Sequence, residues 1–345
     1  MFNRSFKKIN NTKKFVILMS IFTLLLIVIF ILSLRFGAEK TINFKDVFNS
    51  LFNYNENNFN ETIVRDIRFP RFIADVIVGS SLAIAGAIMQ GTTKNAMADS
   101  GIMGISSGSI FAVVIMIIFL PNLGRIERIG FSCLGALIVT SLIYGISFLG
   151  KRRFSPDRMV LSGMAISTLF SSLTTAIVLK NGTSAEMMKY MAGSSANSIW
   201  LDILVSGPFF IVGIIISLFI SRSLTILSLG DDTSKGLGAN TILIKTLSTI
   251  VVLILSAIAV VIIGPVGYVG LMVPHIVRYF VGVDYRYVIP SCLVVGGFFV
   301  SLVDFISRNV LNGIEFPIGL IITIIGVPFF IYTSRKQSSQ EFSHN

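Results

Sequence analysis

The sequence predicts an all-α membrane protein that crosses the bilayer about ten times. Hydrophobic residues make up 53% of the chain and charged residues only 13%, about half of the roughly 25% that a water-soluble domain carries. Mean hydropathy is +0.83. At about 20 residues per spanning helix, the 345 residues hold about ten spans with short connections and leave no room for a large soluble domain.

The elements follow in order. Residues 1–14 are polar and basic and form a cytoplasmic N-terminal segment; the apolar run Phe15–Leu34 is the first span. It is too long for a signal peptide core and lacks a small-x-small cleavage site, so it reads as a retained helix. Residues 36–68 form an outer loop in which Phe44, Val47, Phe48, Leu51 and Phe52 line one face of a short interfacial helix. Further spans are predicted at Phe72–Gly91, Gly101–Leu120, Ile129–Gly150, Met159–Leu179 and Ile203–Ser221. A loop at 222–245 carries a short segment bounded by glycines, suited to contact with another protein. The last spans are Thr246–Gly264, Val266–Gly282, Val288–Val303 and Phe316–Thr333, followed by a cytoplasmic tail, 334–345. The eighth, interrupted by Pro274, His275 and Arg278, and the short ninth are the weakest. Residues 15–333 thus form one polytopic domain.

The net charge of +11 belongs to membrane orientation. With the N-terminus inside, 17 of the 28 lysines and arginines fall in inside segments, Lys151, Arg152 and Arg153 forming the clearest anchor, as the positive-inside rule requires. Both termini are therefore expected in the cytoplasm. Nucleic-acid binding is disfavoured because no soluble basic face is available. Cys133 and Cys292 lie within apolar runs and read as buried small hydrophobes. No catalytic or metal-ligating cluster occurs; the near-match to a phosphate loop at Gly145–Arg152 has Arg152 where Ser or Thr is needed. Asp75 and Asp304 fall near the outer ends of their spans rather than at mid-membrane, which disfavours an ion-coupled secondary transporter, the principal rival reading. Small residues at Gly79, Ser80, Ser81, Ala83, Ala85, Gly86, Ala87 and Gly91, and at Gly104 and Gly108, predict tight helix packing.

Several motifs, in order along the chain, resemble the permease family of iron-siderophore, haem and cobalamin ABC importers. They are Arg68-Phe69-Pro70-Arg71; Gly86 to Gly91 with Gln90; Asn95 to Ser100; Tyr190 to Ser194; Leu229-Gly230 to Leu237-Gly238; Gly267 to Arg278; Asp304 to Arg308; and Glu315-Phe316-Pro317-Ile318-Gly319 with Gly326 to Phe330 behind. They span roughly residues 40–333. The chain departs from the family pattern at Ala96 and Ser100, where proline is usual, at Tyr190, where tryptophan is common, and at Gly236, where a better helix former is usual.

The resemblance implies a type II ABC importer permease bundle of ten helices that pairs with a second permease subunit, identical or related. Two cytoplasmic ATPase subunits would use ATP, and an extracytoplasmic binding protein would deliver the cargo; this chain would be no enzyme and would bind no cofactor or metal itself. A ferric siderophore is the expected cargo, with haem or cobalamin as alternatives. Carried over by residue, Arg68, Arg71 and Arg308 are outward-facing arginines that dock the binding protein; Asn95, Met97, Ser155 and Pro156 form a cytoplasmic gate. Leu229, Gly230, Asp231, Asp232, Leu237 and Gly238 belong to the ATPase coupling loop. Gln90, His275 and Arg278 serve the pathway or the structure.

Overall fold

A computed structural model describes residues 2–37, 39–100, 104–148, 156–182, 191–310 and 315–342. Lys151 to Arg153, Ser155, Tyr190 and His344 lie outside the described residues. Those that are described form helices and no strand: α1 Phe2–Arg35, α2 Phe44–Phe52, α3 Phe59–Thr62, a π-helical turn Ile63–Arg68, α4 Phe69–Thr93, α5 Ile105–Phe119, α6 Arg125–Phe148, α7 Pro156–Lys180, α8 Trp200–Leu227, α9 Asp231–Gly236, α10 Thr241–Ile263, α11 Val269–Val281, α12 Tyr285–Asn309 and α13 Ile318–Phe342.

Among the described residues, eight helical stretches are long and apolar enough to span a bilayer, and α5 and α11 are shorter apolar helices. Together they occupy the ten predicted positions in order. Several boundaries differ. The basic segment before Phe15 continues α1, and α13 runs through the predicted tail to Phe342. The ninth span, expected to be weak, is the 25-residue α12, because the polar residues flanking its apolar centre continue the helix. α11 has only 13 residues, about 20 Å at 1.5 Å per residue, too short for a hydrocarbon core of about 30 Å.

Helix α4 is the central element. Of its most apolar stretch 89% is buried, against 11% for α1. It packs against α8, α10, α11 and α12, and its small residues are the reason. A Cβ on Gly79 would strike the Gly296 backbone of α12, and a Cβ on Gly86 would strike Gly270 of α11. Backbones meet there with no side chain between, which maximises dispersion contact where lipid supplies no hydrophobic drive. A second layer is formed by α5 against α6 and α7, with Gly108 and Gly135 in the same kind of contact.

The chain breaks inside the bundle where its irregular segments satisfy one another. The Ser194 amide donates to the Ile263 carbonyl at the end of α10, and the Ile318 amide donates to the Gly193 carbonyl, each at 2.9 Å. Non-helical backbone at membrane depth persists only where protein or water completes its hydrogen bonds, and the segments around residues 193, 264 and 317 do this for each other.

The predicted outer loop 36–68 is more ordered than a loop. In α2, the Asn43 amide donates to Asp46 at 2.8 Å. Buried Glu61 accepts from the Asn55 amide at 2.8 Å and from Asn58 at 2.9 Å. The π-helical turn then runs into α4, with the Phe69 amide donating to the Val64 carbonyl. Pro70 has no N–H for the next carbonyl, so a wider turn at this junction forfeits little.

Candidate functional site

Among the described residues, the ion pairs of the bundle lie at its two ends. At one end, Arg71 in the first turn of α4 reaches across to α12 and to the strand of chain entering α13. Its Nη2 and Nε donate to Asp304 Oδ1 at 2.7 and 3.1 Å, and its Nη1 donates to both Glu315 oxygens at 3.0 Å. Arg308, one turn after Asp304, lies 2.9 Å from Asp304 Oδ2. Ser195 Oγ donates to Asp304 Oδ1 at 3.2 Å. Two arginines therefore face two carboxylates. A third carboxylate, Asp75, is fully buried one turn along α4, beside Asp304, Arg71 and Ser195.

Arg68 and Arg308 close the end of α1. Arg68 donates to the Leu34 carbonyl and to the Glu39 carbonyl, each at 2.8 Å, and Arg308 bonds the Ser33 hydroxyl. The last carbonyls of a helix lack intrahelical partners and carry partial negative charge, so guanidinium groups stabilise them. Arg68, Arg71 and Arg308, the arginines expected to dock the binding protein, are only 4%, 5% and 6% exposed in the single chain, and their donors serve the chain itself. They form the floor of a cleft of about 190 Å³ whose wall includes Glu39 and Glu315. In the segment between α1 and α4 the exposed cations among the described residues are Lys40, Lys45 and Arg65.

At the opposite end, α4 stops at Lys94, whose left-handed backbone (φ 55°) caps the helix. Asn95 then holds a tight turn: its Oδ1 accepts from the Met97 amide at 2.9 Å, and its carbonyl accepts from the Ala98 amide at 3.1 Å. Both gate candidates on this turn, Asn95 and Met97, are half-buried. Pro156 opens α7, and its partner Ser155 is outside the described residues. The short helix α9 of the predicted coupling loop lies against this turn. Asp231 Oδ1 is 2.9 Å from Lys94 Nζ and its Oδ2 is 2.7 Å from Lys245 Nζ. The hydrogen bond from Lys245, then that from Lys94, holds the Asp231 carboxyl below the usual carboxylate range. Leu229 and Leu237 flank α9 with 64% and 62% of their surface exposed.

Between the ends, Gln90 of α4 donates to the Gly270 carbonyl at 3.0 Å and accepts from Arg278 of α11. This ties the short α11 to the centre of the bundle. His275 is half-buried with its ring edge-on to Phe329, centroids 5.7 Å apart, so the structure gives it a packing contact within the bundle.

One feature escaped the sequence reading. Ser167, Thr168, Ser171, Ser172 and Thr175 lie on one face of α7 and, with Ala176 and Leu179, line an open groove of about 610 Å³ on the outside of the chain. Ser167, Thr168 and Thr175 each donate to the carbonyl four residues back, at 2.7 to 2.9 Å. Their oxygens remain as acceptors along the groove. The signal was present as hydroxyls at i, i+4 and i+8, but a hydropathy reading of the span averages over faces.

A profile of the FecCD transport family matches residues 25–336. The chain is 37% identical over 309 residues to the iron(3+)-hydroxamate import system permease protein FhuB of Bacillus subtilis, covering 89% of this chain and 79% of that protein. It is 35% identical to the cobalamin import system permease protein BtuC of Halobacterium salinarum, covering 80% and 74%. Among solved structures it resembles a metal-chelate type ABC transporter in an inward-facing conformation, with a TM-score of 0.78, 27% identity, and coverage of 93% of this chain and 99% of that one.

Proposed function

Since the chain belongs to the FecCD transport family and is a multi-pass ABC importer permease rather than an enzyme, we propose that its cargo is a ferric siderophore passed between two permease subunits. The observation that supports this reading most is the hydroxyl groove of α7. A row of hydroxyl oxygens on the outside of an apolar bundle gains nothing from lipid. Facing the same groove of a second copy, it encloses a wide, uncharged, hydrogen-bonding passage suited to a bulky chelate whose periphery is polar. The iron-hydroxamate relative supports ferric siderophore; the cobalamin relative keeps cobalamin as the second reading, since its amide-rich rim asks for the same kind of wall.

The parts fit the same scheme. ATP is used by two ATPase subunits that dock on α9, Leu229 and Leu237. The turn at Asn95 and Met97, with Ser155 and Pro156, closes the passage at that end, and both termini lie on that cytoplasmic side. The binding protein docks at the other end on exposed groups such as Lys40, Lys45 and Arg65, with the buried arginines holding the platform rigid. The test is uptake into proteoliposomes containing this permease, its ATPase partner and its binding protein. ATP-dependent uptake of a ferric hydroxamate that excess cobalamin does not suppress is expected. Cobalamin uptake with no ferric chelate uptake overturns the cargo assignment, and uptake driven by an ion gradient without ATP overturns the permease reading.

A further inference from the structure

We propose that Asp231 is a latch, a positioning residue that ties the coupling helix α9 to the gate turn after α4 and to the start of α10, and that its ion pairs carry ATPase movement to the gate. This rests on the ABC permease reading above. One carboxylate holds two lysines from two different spanning helices. Lys94 caps the end of α4, and Lys245 is in the first two turns of α10; they meet Asp231 at 2.9 and 2.7 Å. Without Asp231, the two ammonium groups would repel each other.

α9 is bracketed by Gly230 and Gly238, with φ of +127° and +79°, values that glycine adopts without strain. The chain therefore turns into the six-residue helix and out of it without strain, while buried Ser234 ties it to the Ile226 carbonyl of α8 at 2.9 Å. Lys94 is in the left-handed region, with φ of 55°, which residues with a Cβ rarely adopt. Its side chain is held by Asp231 while its backbone fixes where α4 stops and Asn95 begins. A pull on α9 thus acts at the one residue whose conformation determines the direction of the gate turn. The two ion pairs are each more than a third exposed, and pairs of that kind are weak singly, so the latch uses both lysines.

The test measures cargo imported per ATP hydrolysed by the full complex in proteoliposomes. In Lys94→Gly the turn keeps its left-handed backbone but loses its tether. ATP hydrolysis is expected to continue while cargo per ATP falls about fivefold, the lower end of coupling between sites. Asp231→Asn should show the same fall. The triple variant Lys94→Glu, Asp231→Lys, Lys245→Glu rebuilds both pairs with reversed charge and should restore coupling. Wild-type cargo per ATP in Lys94→Gly overturns the latch, as does a triple variant no better coupled than Asp231→Asn. Failure of the wild-type complex to couple ATP to uptake at all overturns the permease reading instead, and the latch with it.

Discussion

Asp304 is the residue whose loss should be felt most. It is fully buried, accepts two bonds from Arg71 and one from Ser195, and faces Arg308. Removing one member of a buried charge cluster leaves the rest uncompensated and typically costs about 3–5 kcal/mol. Asp304→Ala should lower the unfolding temperature in detergent markedly, and by more than Asp75→Asn, an isosteric change that keeps a polar group beside Asp304 and Ser195. Equal losses in the two variants would show that the arginines do not depend on Asp304. Asp231 makes a different prediction. Lys245 and then Lys94 hold its carboxyl below its ordinary value, so its stabilisation is fully present above about pH 4 and fades as pH falls through the lowered value. Being solvent-exposed, it is worth under about 1 kcal/mol and weakens in salt. The difference in unfolding between wild type and Asp231→Asn should therefore be constant from pH 6 to 8, shrink in acid and shrink in high salt.

The helices were legible in the sequence to different degrees. Ten apolar runs are a one-dimensional signal, and the structure places a helix on each. The small residues of α4 were legible as a packing face, and they predict a sharp result. In Gly86→Leu the new side chain would run into the Gly270 backbone, where no flexible neighbour can yield. Overpacking of this kind costs about 1–3 kcal/mol or more, so the variant should unfold at lower temperature and lose transport, while substitution of Gly145, with open space around it, should do neither. What the sequence hid is contact between distant elements. The buried ion pairs of Arg71 were hidden because its partners Asp304 and Glu315 lie 233 and 244 residues away. The π-helical turn was hidden because its cause, the missing N–H of Pro70, looks from the sequence like the end of a loop.

At the scale of the whole molecule, the decisive question is which outer face meets lipid and which meets water. On α7, Ser171 lies in the hydroxyl groove. Leu173 is 43% exposed and is two residues on, about 200° around the helix at 100° per residue. If the groove lines a shared passage, the two positions differ in hydration although both lie on the surface of the single chain. A thiol reacts as its thiolate, which needs water. With Cys133 and Cys292 replaced, Ser171→Cys should react with a membrane-impermeant thiol reagent in the assembled transporter, and bound cargo should slow it. Leu173→Cys should stay inert under both conditions. Matching inertness at the two positions would place both in lipid and move the passage to another face; matching reactivity would mean that α7 is not packed into the assembly at all.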